Sequence, residues 1–287
     1  MMLEINDTEF ELLKEYLSTM CGINIPPEKR YLFVTRLAGM LDEMKCSSFS
    51  EFYNFLSMER DPLLKKRLVE AMTTHETSFF RDGHPWKTLT DIIIPRIAEV
   101  RLKECRYMSP RIRILSSGCC TGEEPYSIAM SVCEWIENTD RFSMADVSIL
   151  AVDISKKALD FARNGVYPEH VVRKNIPEAY RQKYFREVRN GSMIRENIRA
   201  MCVFAEVNLA ESFEHLGMFD LIFCRNVIIY FSTELKRKII EQFFRMLNHE
   251  GALLMGVSEN LYTISDRFSI IPSDSRTTYY RKQKFVE

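Results

Sequence analysis

Apolar residues recur every three to four positions through the first seventy residues, then give way to short unbroken apolar runs. Phe10, Leu13, Leu17 and Met20 share one helical face, opened by Thr8-x-x-Glu11 as a capping box and stopped at Gly22. Pro26-Pro27 open a second helix with Phe33, Leu37, Met40, Leu41 and Met44 on its apolar side. Ser48-x-x-Glu51 starts a third with Phe52, Phe55 and Leu56, and Asp61-Pro62 a fourth running through Leu68 and Met72. These four amphipathic helices predict a small all-α domain over 1–72.

Beyond about residue 90 the runs IRILS (112–116), VSILAV (147–152), CVFAEV (202–207), FDLIFC (219–224) and ALLMGV (252–257) read as buried strands. Helical stretches at 125–137, 156–163 and 234–247 lie between several of them. Such alternation predicts an α/β domain over 93–287, a Rossmann-like, mostly parallel sheet covered on both faces. Its end, 268–281, looks like an antiparallel hairpin closing the sheet edge. One interruption, 184–200, centres on the turn signal Asn190-Gly191 and predicts a small β-subdomain at about 184–203. Residues 73–92 are left as a linker and candidate lid.

Composition narrows the class. Among 287 residues, Lys+Arg number 39 against Asp+Glu 40, so the basic excess usual in a nucleic-acid binder is missing. The opening MMLEINDTEF has no charged and apolar pattern of a signal peptide. The longest apolar run, 221–231, is broken by Arg225-Asn226, so no membrane span is expected. The eight cysteines form no CxxC pair and no zinc spacing with histidine, which suits reduced thiols in a cytoplasmic protein without a metal.

The chemistry concentrates at strand ends. In ILSSGCCTGEEPYSIAM (114–130), a strand enters a loop with Gly118 and Gly122 and leaves in a helix opened by Pro125. Ligands of open α/β sheets sit at such places, but the spacing departs from GxGxxG. Glu123 and Glu124 would repel a pyrophosphate at that helix start and welcome an ammonium and a sulfonium, the charges of S-adenosylmethionine. The plainer alternative is that both only complement the helix dipole. Asp153, ending AVDIS, can accept hydrogen bonds from a ribose diol or simply cap the next helix. Arg225, inside FDLIFCRNVIIYF (219–231), must meet a carboxylate or a ligand if buried, and Tyr230 can reach the same cleft. In TTHETSFFRD (73–82), Thr77 and Arg81 suit a cofactor lid, although Phe79 and Phe80 could be core alone.

With THETSFFRD, SSGCCTGEEPYSIAM, AVDIS, ALDFARNGVY, VNL, FCRNVIIYF and GALLMGVSENL in this order, the chain resembles the chemotaxis receptor methyltransferases, the CheR-type protein-glutamate O-methyltransferases. The resemblance implies S-adenosylmethionine as cofactor, adenosylhomocysteine as product and chemoreceptor cytoplasmic helices as partner. It implies cofactor contacts from His75 (often Asn in the family), Thr77, Arg81, Gly118, Glu124 at the methionyl end, Asp153 at the ribose, Asn208-Leu209 at the adenine, and Arg225-Asn226 as floor. Arg81 and Tyr230 become the active-site pair. Lys29, Arg30 and Arg36 remain of the family's basic second helix, thinned here by Ala38-Gly39-Met40. The short excursion lacks a Gly-Pro turn, so independence from a receptor's C-terminal pentapeptide is expected, as is a monomer. Two alternatives stay open: the same fold acting on another acceptor, such as RNA or a small molecule, and a non-catalytic cofactor-binding regulator.

Overall fold

The computed structural model describes residues 4–58, 62–104, 110–273 and 277–282. Asp61 and Cys105, used above, lie outside them; the other seven cysteines are free and buried.

Four helices build the first layer: α1 (Asp7–Cys21), α2 (Tyr31–Glu43), α3 (Phe49–Met58) and α4 (Pro62–Met72). Their inward faces, including Phe10, Leu13, Phe33, Leu37, Phe52 and Leu68, form one core. The start of α1 corrects the expectation. Asn6, not Thr8, is the cap, and its capping-box partner is Glu9, whose other oxygen accepts from Ser50 N at 2.8 Å. Glu11 instead pairs with Lys14 on the surface. At α3, Ser48 Oγ accepts from Glu51 N at 3.2 Å, but the Glu51 carboxylate turns to Ser47, so only half of that box forms. The two prolines lead into a short 3-10 turn at Pro27–Lys29 before α2 begins.

The expected linker 73–92 is irregular at first and helical from α5 (His84–Thr88), which continues through a π-helical turn at Leu89–Ile93 into α6 (Ile94–Glu104). Next come β1 (Ile112–Ser117), α7 (Glu123–Ile136), β2 (Val147–Asp153) and α8 (Lys156–Asn164). The subdomain follows: β3 (Val166–Tyr167), α9 (Glu169–Asn175), α10 (Glu178–Tyr184), β4 (Phe185–Val188), β5 (Gly191–Ile194) and α11 (Glu196–Arg199). It begins earlier than 184 and holds helices that the sequence pattern did not reveal. Its turn is Arg189-Asn190; Gly191 already lies in β5, where an added Cβ would sit 2.2 Å from Tyr167 O.

The chain ends with β6 (Cys202–Glu206), β7 (Phe219–Cys224), α12 (Thr233–Met246), β8 (Leu247–Met255), β9 (Phe268–Pro272) and β10 (Thr278–Lys282). The main sheet runs β6-β2-β1-β7-β8-β10-β9, parallel as far as β8, with β10 antiparallel to both neighbours. Alternate residues of each central strand enter different cores: Leu221 and Phe223 face α5–α7, while Ile222 and Cys224 face α12. Burial on both sides explains why these strands read as unbroken apolar runs. The strand order reverses between β1 and β7, which opens a crevice at their carboxyl ends.

Candidate active site

A cavity of about 630 Å³ occupies that crevice, and the helical domain forms its opposite wall. Lining it are Lys29, Arg36, His75, Thr77, Arg81, Gly118, Glu124, Asp153, Asn208, Leu209, Arg225, Asn226 and Tyr230. Arg30 is not among them. The fold thus gathers residues that lie up to two hundred positions apart.

The first turn follows β1. Gly118 (φ +71°) and its neighbour Cys119 both donate to Val152 O, at 2.8 and 2.9 Å, which binds the turn to β2. A Cβ on Gly118 would lie 2.4 Å from Val227 Cγ2, so only glycine lets the two turns approach. The paired glutamates then diverge. Glu123 is 6% exposed, accepts from Thr121 Oγ1 at 2.7 Å and does not line the cavity, which corrects the expectation that both carboxylates greet a ligand. Glu124 does line it. Its Oε1 accepts from Ser116 Oγ at 2.8 Å, and Arg225 stands 3.4 Å from its Oε2. Burial raises the Glu124 pKa, against the pull of Arg225. Asp153 accepts from Cys120 N at 2.8 Å and Ser155 N at 2.9 Å, one bond per oxygen, leaving further lone pairs toward the cavity. Burial raises its pKa, and these two backbone donors oppose the rise. Capping of α8 falls to Ser155, not to Asp153.

The second turn follows β7. Arg225, with 1% of its side chain exposed, pairs with Asp82 at 2.7 Å as well as with Glu124, and donates to Arg81 O at 3.1 Å. Its plane also faces Trp86, 5.7 Å away. Asn226 (φ +59°) is pinned by Glu259, which accepts from Asn226 N at 2.6 Å, Val227 N at 3.1 Å and Gly256 N at 2.9 Å. The Asn226 Oδ1 atom is buried without a hydrogen-bond partner among the described residues. Glu259, buried within GVSENL, and Asp82 went unassigned in the sequence; a buried Arg225 was the signal that carboxylates had to exist.

Residues 73–78 form a strap along the cavity wall. Phe79 anchors them against Tyr167 and Phe185, while Phe80 lies against Trp86 and Tyr180, so both rings are core. Among the described residues the Arg81 guanidinium makes one hydrogen bond, to Glu76 O at 2.7 Å, and the group lines the cavity. Phe80 and Asp82 have φ values of +50° and +68°, conformations that cost about 1–3 kcal/mol each and concentrate at functional sites. Several expected ligand residues are already engaged. Arg36 donates to Met72 O at 2.7 Å and to Thr74 Oγ1 at 3.2 Å, so it braces the strap. Arg30 pairs with Asp7. Asn208 Nδ2 donates to Met20 O at 2.8 Å and to Glu211 at 3.0 Å, joining the two domains.

Residues 75–277 match the family described as CheR methyltransferase, SAM binding domain, and residues 8–73 match CheR methyltransferase, all-alpha domain. The chain belongs to the CheR methyltransferase family. Chemotaxis protein methyltransferase 1 of Vibrio cholerae is 34% identical over 279 residues, covering 97% of this chain and 98% of the relative. Chemotaxis protein methyltransferase 1 of Pseudomonas aeruginosa is 32% identical, with 96% and 98% covered. The chemotaxis protein methyltransferase of Borreliella burgdorferi is 35% identical, with 90% and 91% covered. The enzyme is therefore an S-adenosylmethionine-dependent methyltransferase of the CheR family. The cleft fits that cofactor: a carboxylate at Glu124 suits its cationic end, and the orphan Asn226 Oδ1 awaits a donor. No helix among the described residues is long and apolar enough to cross a membrane, and no group of three or more metal-ligating side chains occurs among them.

Proposed function

We propose that this CheR-family enzyme methylates glutamate side chains on the cytoplasmic helices of chemoreceptors, forming glutamyl methyl esters for sensory adaptation. It does so in the cytoplasm, as a monomer, without a receptor C-terminal pentapeptide. The observation that carries the proposal is one cleft lined both by carboxylates, Glu124 and Asp153, and by Arg81 and Tyr230. The carboxylates suit a cationic nucleoside, and the guanidinium and phenol an incoming carboxylate. The relatives' common designation as chemotaxis protein methyltransferases supports the receptor as acceptor. The two-residue turn of β4–β5 leaves a compact subdomain, consistent with no separate peptide dock.

Bound S-adenosylmethionine supplies an electrophilic methyl group on a sulfonium. A glutamate, with an ordinary pKa of about 4.3, arrives already ionised, so the enzyme needs no general base. Arg81 is too basic to take a proton; it orients the acceptor carboxylate, and Tyr230 donates a second positioning hydrogen bond. Glu124 holds the methionyl end and Asp153 the ribose. Leu209 and the Asn208 backbone border the adenine, because the Asn208 side chain is engaged elsewhere. His75 and Thr77 cover the cofactor from the strap, and Arg225-Asn226 form the floor. Lys29 faces the receptor, while Arg30 and Arg36 hold the wall behind it. Alignment of the two reactants supplies most of the rate, an effect that can reach about 7–11 kcal/mol.

The test uses tritiated S-adenosylmethionine and receptor-containing membranes, followed by mild base. Glutamyl esters release volatile labelled methanol. Base-stable label, or label moving to RNA, overturns the acceptor assignment. Equal rates on receptors with and without their last five residues are expected; a strong preference for the intact terminus overturns pentapeptide independence.

A further inference from the structure

Arg225 is shared unequally. It stands 2.7 Å from Asp82, the length of a charge-assisted hydrogen bond, and 3.4 Å from Glu124, at the far limit of one. Yet Glu124 faces the cavity, and its carboxylate is the one suited to a cationic ligand. One cation between two carboxylates leaves a net negative charge beside the cleft. With one carboxylate fewer, the same guanidinium would close on Glu124 and cancel it.

We infer that Asp82 is a positioning residue: it occupies Arg225, so that Glu124 keeps its charge for S-adenosylmethionine.

The local backbone supports this independently. Asp82 sits at φ +68°, two residues after Phe80 at +50°, and this turn aims its carboxylate at Arg225. Non-glycine residues hold such conformations only where surrounding contacts compensate. Arg225 Nη2 donates at once to Asp82 and to Arg81 O, and Trp86 Nε1 donates to that same carbonyl at 3.2 Å. The ion pair therefore also anchors the peptide that carries Arg81. Asp82 itself keeps 32% of its side chain exposed, so it bridges surface and site; Arg225 keeps 1%.

The inference rests on the cofactor, not on the acceptor, so a failed glutamate assay leaves it standing. Titration calorimetry with S-adenosylmethionine and adenosylhomocysteine reads it directly. D82N should weaken both about tenfold, because Arg225 then masks Glu124. D82E, which retains the carboxylate, should restore affinity to within about twofold of wild type. In an E124Q background no charge remains to be masked, so adding D82N should change affinity by less than about threefold. Wild-type affinity in D82N, or losses that multiply in the double variant, would overturn the inference. A lowered melting temperature in D82N that D82E repairs without repairing affinity would do the same.

Discussion

The two turns that meet at the switch point are wired differently. The turn after β1 pairs its own side chains close by in the chain, Ser116 with Glu124 and Thr121 with Glu123, while its amides at Gly118, Cys119 and Cys120 reach across to Val152 and Asp153. The turn after β7 finds its partners far away: Glu259 for Asn226 and Val227, Asp82 and Glu124 for Arg225. A locally wired turn announces its ligand in the sequence. A remotely wired turn announces only an anomaly, a charge inside an apolar run, and its meaning depends on what the fold places opposite.

Breaking the remote wiring should cost most. Arg225→Met leaves the Asp82 and Glu124 carboxylates without their cation and should destabilise the fold by about 3–5 kcal/mol, read from urea unfolding. A loss under about 1 kcal/mol would mean that the ion pairs are not structural. Glu259→Gln deprives one backbone donor of its acceptor and should cost about 2 kcal/mol, with weaker cofactor binding because Asn226 loosens. Unchanged unfolding and binding would show that the second turn holds itself. The local turn should yield less: Gly118→Ala forces a left-handed alanine, which costs about 1–2 kcal/mol in the backbone alone, and adding Val227→Ala should relieve only the further cost of the contact with Val227. No relief from Val227→Ala would mean that the turns do not press on each other.

The smallest effect concerns protons. Burial raises the Glu124 pKa above the ordinary carboxyl value. A raised carboxyl value means that the native, cofactor-free state holds the proton more readily than the unfolded chain. Its stabilising contribution is then present at low pH and fades as pH climbs through the raised value. A cationic ligand favours the ionised form, so cofactor affinity should strengthen with pH across that window, by at most about tenfold per pH unit. Calorimetry from mildly acidic to neutral pH checks this, and Glu124→Gln should flatten the profile.

Much of the architecture was legible in the chain. The four helices, the five parallel strands and the closing hairpin follow from apolar periodicity, because burial on one face or two leaves a repeating mark along the sequence itself. Gly118, Asp153 and Arg225 were visible for a related reason: each breaks the local pattern at a strand end. What stayed hidden was the allotment of partners. Sequence could not say that Glu124 faces the cleft while Glu123 turns to Thr121, since adjacent helical residues point about 100° apart and the order alone does not orient the helix. Nor could it show that Arg36, Arg30 and Asn208 are engaged by Met72, Asp7 and Met20. A side chain has a limited number of donors and acceptors, and whether the fold or a ligand takes them is decided only when distant segments arrive beside it.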